Sequence, residues 1–173
     1  MDVLEAIKGR RSIRAFKSQD VPADIVEKLI DAARWAPSAG NIQPWEFIIV
    51  RDPKIKRGLV RAALNQTFIE EAPVVIVVCA DEDRSFQGYG TRGKNLYCIQ
   101  DTAAAIQNIH LTAYSLGLGT CWVGAFREEE TREVLKVPRG VRPVAIIPVG
   151  YPAEYPQPRS RRPINQIIHH ETF

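Results

Sequence analysis

Pro37-Ser38-Ala39-Gly40-Asn41-Ile42-Gln43-Pro44-Trp45 is a run of small and polar residues held between prolines, and regular structure changes type across it. Upstream, Ile25, Val26, Leu29, Ile30 and Ala33 fall at i, i+1, i+4, i+5 and i+8, the apolar stripe of an amphipathic helix. Pro22 suits the first turn of that helix and Pro37 stops it. Downstream, Trp45 to Arg51 reads as a strand. Asp52-Pro53 then turns the chain into a helix carrying Leu59, Val60 and Ala63. Val74-Val75-Ile76-Val77-Val78 is continuously apolar and β-branched, which predicts a strand buried on both faces.

Working outward, Val3, Leu4 and Ile7 share one face of a short opening helix that Gly9 ends. Residues 81–94 are polar and glycine-rich and read as a mobile loop. A long helix follows from about Asn95 to Leu116. Its middle, Thr102 to Ile106, is small or apolar on nearly every side, the mark of a helix buried all round, and in so small a domain that calls for a second chain to cover one side. Gly117 and Gly119 end it. Cys121-Trp122-Val123 reads as a brief strand, Glu128 to Leu135 as a short helix with acids in its first turn, and Val144 to Val149 as a strand. The proline-rich stretch from Tyr151 to Pro163 forms no regular element and runs extended over the surface or across a partner. Mixed helices and short strands without repeats make one domain, residues 1–173, of the α+β or α/β class.

Composition narrows the function. At 173 residues and 45% hydrophobic, the chain suits one folded core rather than disorder. No apolar run is long enough to span a membrane, and the first residues lack the basic-then-apolar order of a secretory signal, so the cytoplasm is the expected location. Cys79, Cys98 and Cys121 have no metal-ligand spacing and read as reduced, buried thiols; no metal is expected. The formal charge of +3 permits anionic small molecules.

Two basic clusters stand out: Arg10-Arg11-Ser12-Ile13-Arg14 and Arg159-Ser160-Arg161-Arg162. Guanidinium forks match phosphate oxygens two at a time and a serine hydroxyl adds a donor, so the pair reads as an anion site. Nucleic-acid binding would need a broad basic face with exposed aromatics, and the chain between the clusters is not basic.

The arginine run with Phe16, followed by Ala36-Pro37-Ser38-Ala39-Gly40-Asn41-Ile42-Gln43-Pro44-Trp45-Glu46-Phe47, resembles the opening of the FMN-dependent nitroreductase family. The resemblance continues in order through Glu71-Ala72-Pro73 and its valine-rich strand, the helix from Asp101 to Gly119, Gly119-Thr120-Cys121-Trp122-Val123-Gly124-Ala125-Phe126, and Arg159 to Pro163. It implies an α+β fold with a central, mainly antiparallel sheet, flanking helices and a long interface helix, in a homodimer with one FMN at each of two interface sites. Arg10, Ser12, Arg159 and Arg161 would hold the phosphate and ribityl end, with Arg11 and Arg162 adjacent. Arg14, helped by Asn65, would lie near flavin N1 and the C2 carbonyl. Pro37, Ser38, Ala39 and Asn41 would come from the partner subunit and flank the ring. Val123 and Gly124 would offer backbone amides near N5, and Trp122 adjoins them. The resemblance further implies ping-pong transfer of hydride from NADH or NADPH to a small acceptor, a nitroaromatic or quinone, with no essential side-chain acid or base. Flavin fragmentation and reductive dehalogenation also occur in the family. Outside it, a non-catalytic module for a phosphorylated ligand is the rival.

Other signals read as structural. Gly88-Tyr89-Gly90-Thr91-Arg92-Gly93 spells a dinucleotide fingerprint, but seven residues separate it from the preceding strand and no acid follows at ribose distance. Its segment reads instead as a lid whose aromatics, Phe86, Tyr89 and Tyr97, border the substrate. Trp35 and Trp45 read as core or interface packing, His110 as a packed, hydrogen-bonded residue, and Asp101 as the partner of a nearby basic group. No Ser-His-Asp or Cys-His order proposes nucleophilic catalysis.

Overall fold

Val74–Asp81 forms the strand at the centre of the molecule, with all but its last residue buried. The structure, a computed structural model, describes residues 1–173. In chain order the elements are α1 (Val3–Gly9), α2 (Ala23–Arg34), β1 (Trp45–Val50), α3 (Pro53–Ala62), α4 (Phe68–Glu71), β2 (Val74–Asp81), α5 (Glu82–Arg92), α6 (Cys98–Ser115), β3 (Gly119–Thr120), α7 (Glu128–Leu135) and β4 (Val141–Gly150). The sheet has the order β1-β2-β4-β3 and every pairing is antiparallel. That decides between the two classes the pattern left open: with no parallel pair between named strands the fold is α+β.

Because strand side chains alternate in direction, β2 feeds two cores. Val74, Ile76 and Val78 join Leu29 of α2 and Ile106 and Ile109 of α6 on one face. Val75, Val77 and Cys79 join Leu59 of α3, Ile69 of α4 and Ile146 of β4 on the other. Each fully buried Leu or Ile contributes about 1.5–3 kcal/mol. Most helix boundaries follow local chemistry. The Asp52 carboxylate caps α3 by accepting the N–H of Lys54 at 2.6 Å and of Ile55 at 3.2 Å, and Pro53 supplies the first turn. Lys136, in the left-handed region, terminates α7.

Two expectations need correction. Residues 81–94 are helical, not a loop. Asp81 caps α5 by accepting the Arg84 N–H at 2.8 Å, Glu82 and Asp83 occupy its first turn, and a π-helical turn (Gly93–Tyr97) joins it to α6. The glycines here serve close approach: a Cβ on Gly93 would run into the Ser85 carbonyl oxygen, and one on Gly88 into Ile42. Only Gly90, at φ +56° and ψ −144°, bends the helix. Within one subunit α6 is buried on one side, which leaves the other side for the second chain that the sequence calls for. Thr102, Ala105, Ile106, Ile109 and Ala113 are enclosed, whereas Ala103 and Ala104 are half-buried and Gln107 is exposed. Second, the brief strand is Gly119–Thr120, and Val123 makes only a single bridge to Ile146. Of the two tryptophans, Trp45 is in the core, while Trp35 is 74% exposed within the single chain, beneath the Arg34 guanidinium, which leaves only the interface half of its reading open. The three thiols are unpaired and buried. Burial raises all three, Cys79 to about 12, which makes them poor nucleophiles.

Candidate functional site

The chain leaves α1 at Arg10, whose N–H still bonds the Ala6 carbonyl at 3.0 Å. Residues 12 to 17 then run extended between two other segments. On one side Ser12 bridges Thr120 of β3 in parallel, and the Ile13 N–H donates to the Thr120 carbonyl at 2.9 Å. On the other, Phe16 bridges Pro152 antiparallel. The Lys17 N–H reaches the Tyr151 carbonyl at 2.8 Å, and the Ala153 N–H reaches the Ala15 carbonyl at 2.9 Å. The Glu154 carboxylate finishes this seam by accepting the N–H groups of Arg14 and Ala15. The two ends of the chain are thereby spliced, and both basic clusters arrive at one place.

The result is a cleft of about 490 Å³ walled by Arg10, Arg11, Ser12, Arg14, Arg159 and Arg161, with Glu154, Pro156 and Gln157 completing it. None of the seven ion pairs in the chain involves any of these arginines. Five guanidinium groups therefore face one carboxylate, and the cleft is strongly electropositive. Arg14 lies over the Phe68 ring, 5.8 Å from its centroid. Arg11 also closes the preceding helix. Its Nη1 donates to the carbonyls of Lys8, Gly9 and Arg10 at 2.6, 3.0 and 2.9 Å, satisfying the open end of α1. Arg162 lies outside the cleft and donates to the Gln166 carbonyl at 2.8 Å.

Behind the cleft, His110 of α6 is 2% exposed and its Nδ1 is 2.7 Å from Thr120 Oγ1. Its ring stacks on Trp122 at 5.9 Å, while its Nε2 has no partner. Burial, reinforced by the Arg10 charge, lowers its pKa to about 4, so the ring is neutral near pH 7. His110 is thus packed and hydrogen-bonded, as its position on the long helix foretold.

The other residues singled out from the sequence lie elsewhere. Pro37, Ser38, Ala39 and Asn41 contribute nothing to the arginine cleft. Their loop is held against α5 and α6: the Ala39 N–H donates to Asp101 Oδ1 at 3.1 Å, and Ser38 Oγ accepts the Gln43 N–H at 3.0 Å. Gly40 sits at φ +56°, where a Cβ would lie 2.5 Å from the Tyr89 hydroxyl. Asp101 is therefore no partner for a basic group. It positions the loop, and desolvation raises its pKa. Asn65, in the left-handed region, and Gly124 lie on two exposed loops joined by the Gln66 side-chain amide, which donates to the Ala125 carbonyl at 3.1 Å. Of the two amides expected to face a ligand, Val123 is withdrawn: its N–H bonds the Ile146 carbonyl at 3.0 Å. The Gly124 N–H has no acceptor within the chain.

Two contributors escaped the sequence reading, Glu154 and the His110–Thr120 pair. Glu154 left one trace, as the single acid in the proline-rich and basic stretch from Tyr151 to Pro163. The His110–Thr120 pair left none, because a bond between residues ten apart on a helix and a strand follows no spacing rule.

Comparison with known proteins agrees with this architecture. The nitroreductase family model matches residues 7–68 and 59–151. A protein of Methanothermobacter thermautotrophicus, assigned as an NADH dehydrogenase/NAD(P)H nitroreductase, is 40% identical over 164 residues, covering 92% of this chain and 82% of its own. The FMN reductase (NADPH) of Bacillus subtilis is 32% identical over 185 residues, covering 99% of this chain and 74% of its own. Among solved structures, the NADPH:FMN oxidoreductase from Vibrio harveyi complexed with NAD+ superposes with a TM-score of 0.91 at 25% identity, over 99% of this chain and 77% of its own. Sequence and fold agree along nearly the whole length, and the chain belongs to the nitroreductase family.

Proposed function

We propose that the chain is an FMN-dependent oxidoreductase that draws electrons from NADH or NADPH and passes them to a small acceptor, a nitroaromatic or a quinone. The observation that carries this reading is the meeting of Arg10, Ser12, Arg14, Arg159 and Arg161 in one cleft, drawn from opposite ends of the sequence and left without internal ion pairs. Planar guanidinium forks and a hydroxyl are the donor set a phosphate monoester requires, so the residues present fit the group.

When bound, FMN supplies the hydride chemistry, and alternate use of one pocket by NAD(P)H and the acceptor gives ping-pong kinetics. The chain supplies position and charge. Arg10, Ser12, Arg159 and Arg161 hold the phosphate end. Arg14 brings a cation toward the pyrimidine edge of the ring, where negative charge gathers on reduction, and so favours acceptance of electrons. Asn65 and the free Gly124 N–H border the same ring. Trp122, held by His110, backs that loop. Protons reach so open a site from solvent.

The Pro37–Asn41 loop completes the site from a second copy of the chain. Three features support a homodimer: the loop's absence from the lining of its own arginine cleft, the open side of α6, and the exposure of Val3, Leu4 and Ile7 along α1. An apolar helix face left to water is the usual mark of an interface. No helix is long and apolar enough to cross a membrane.

The absorbance spectrum of the purified protein tests the proposal. The expected result is a yellow protein, or one that becomes yellow on adding FMN, that bleaches with NADH or NADPH and recovers with an acceptor. A colourless protein that takes up no FMN would overturn it in favour of a non-catalytic anion-binding module. Intact FMN after aerobic turnover, with no halide released from a halogenated substrate, sets aside the two other chemistries found in the family.

A further inference from the structure

The loop that follows α2 does not hold its shape by itself. Of the four residues Gly40–Gln43, three stand in the left-handed region: Gly40 and Asn41 at φ +56° and Gln43 at φ +54°. Only glycine enters that region freely, so the two others are kept there by their surroundings. The single helical turn Ala39–Asn41 also lacks a cap of its own. Ser38 occupies the capping position, yet its Oγ is turned to the Gln43 N–H at 3.0 Å, which leaves the first N–H of the turn to another element.

The missing acceptor comes from α6. Asp101 Oδ1 takes the Ala39 N–H at 3.1 Å, across 62 positions of sequence. Two more tethers finish the loop: Arg84 Nε of α5 donates to the Ile42 carbonyl at 2.6 Å, and the Asp81 N–H donates to the Pro44 carbonyl at 2.7 Å. Arg84 is exposed, whereas Asp101 is 8% exposed and its Oδ2 is buried with no donor. Carrying a carboxylate into the interior for a single hydrogen bond is unfavourable. For packing alone, an apolar residue of the same shape serves at least as well. The acid is accounted for if the placement of Ala39 matters beyond the subunit that contains it.

We propose that Asp101 is a positioning residue for the FMN bound by the other copy of the chain. The proposal rests on the flavin and dimer reading above. Ser38, Ala39 and Asn41 reach across the interface, and the carboxylate behind them, anchored on α6, sets where they stop. The arginines of one subunit hold the anionic end of the cofactor, and the buried acid of its neighbour fixes the bed on which the ring rests. Asp101 acts through the Ala39 amide.

The experiment is an FMN titration of the flavin-free dimer, followed by flavin fluorescence and by the visible circular dichroism of the bound ring. Asp101→Ala should weaken FMN roughly tenfold and change the dichroism, the loss of one charge-assisted bond. Asp101→Asn keeps an acceptor for the Ala39 N–H and should restore both readings to within twofold of the wild type. The deciding sample is a mixed dimer, purified through two different tags, with Asp101→Ala in one copy and Arg159→Ala with Arg161→Ala in the other. Across the interface, one of its two sites combines unaltered arginines with an unaltered loop, and the other carries both defects. One FMN per dimer should therefore bind with wild-type affinity. If Asp101 serves its own subunit's site, each site carries one defect, none binds like the wild type, and the proposal falls. It also falls if Asp101→Ala binds FMN as the wild type does, or if Asn fails to rescue. Should Asp101→Ala not fold, Asp101→Leu, which keeps the volume and removes the acceptor, takes its place. Loss of the fold in both would assign Asp101 to stability alone and overturn the proposal. Failure of the wild type to bind FMN would instead overturn the function proposed above, so the two failures are distinguishable.

Discussion

Glu154 accepts the backbone N–H of Arg14 across 140 positions of sequence, and with the Ala15 N–H makes a two-donor clamp at the edge of the arginine cleft. The contact is structural and electrostatic at once, and two substitutions separate these parts. Glu154→Ala removes the acceptor and should lower stability by about 1–2 kcal/mol, or about 2–4 °C in Tm per kcal/mol for a chain of this size. Glu154→Gln keeps an acceptor while removing a negative charge from the cleft. It should hold FMN at least as tightly as the wild type. Thermal melts and flavin titrations read the two effects apart, and a Gln variant with weaker FMN binding would show that the charge supports the site in some other way.

Arg159 and Arg161 line the cleft while their own ion-pair capacity is unused. Replacing both by Ala should weaken FMN binding on the order of 100-fold, since each charge-assisted contact contributes about 1.5–3 kcal/mol. Riboflavin, which lacks the phosphate, should lose almost nothing. Equal losses for the two flavins would place these arginines away from the phosphate.

Arg14→Ala should lower the flavin's two-electron reduction potential by on the order of 30 mV, equivalent to about 1.4 kcal/mol, because it removes the cation that favours the reduced ring. Ser12→Ala should shift it less. Potentiometric titration of both variants decides, and equal or reversed shifts would move Arg14 away from the ring.

His110 makes stability depend on pH. Its folded pKa is about 4, below the ordinary 6.5, because burial and then Arg10 disfavour its charged form. Between those values the unfolded chain binds the extra proton. Stability is therefore complete above about pH 6.5 and falls as pH drops toward 4, by a few kcal/mol at most. Asp101, with its raised pKa, acts in the opposite sense over the carboxylate range. The comparison is thus wild type against His110→Gln in urea melts from pH 4 to 7. The variant should lose the part of the slope between pH 4 and 6.5, and an unchanged slope would show that His110 is already charged in the fold.

Lys56 is 8% exposed, and its Nζ donates to the Glu70 carbonyl at 3.1 Å and the Ala72 carbonyl at 2.8 Å. Burial lowers its pKa. Lys56→Met keeps the apolar stem but strands two acceptors at the end of α4, and should cost about 2–4 kcal/mol in chemical unfolding. A neutral result would mean water replaces the ammonium there.

The elements that the sequence made readable are those where one physical rule dominated. Leu29 and Ala33 follow a helical stripe, Val74 to Val78 follow a buried strand, and Asp52-Pro53 is a capping signal; all three appear in place. The first turn of α7 was equally plain from three consecutive glutamates. Residues 81–94 mislead because glycine has two uses. Gly88 and Gly93 are there for close packing, and periodicity cannot tell a glycine that admits a neighbour from one that loosens the chain. β4 begins earlier than expected, at Val141. In the fold Pro143 lies at the register shift opposite Cys79, beyond the short span that pairs with β3. The arginine clusters are readable as chemistry, but their union is not. It depends on Phe16 pairing with Pro152 and on Glu154, which are long-range contacts that leave no local pattern. The withdrawal of the Val123 amide is hidden for the same reason, its partner Ile146 being 23 positions away.

The seam between residues 12–17 and 151–154 has a consequence for synthesis on the ribosome. When Gly150 has emerged, all four strands and both cores exist, yet two of the five arginines of the cationic wall do not. Nucleotide cannot template the early stages of folding. It is captured last, by a polypeptide whose scaffold already stands, and truncation just after Gly150 should leave a sheet-containing protein with no grip on its ligand.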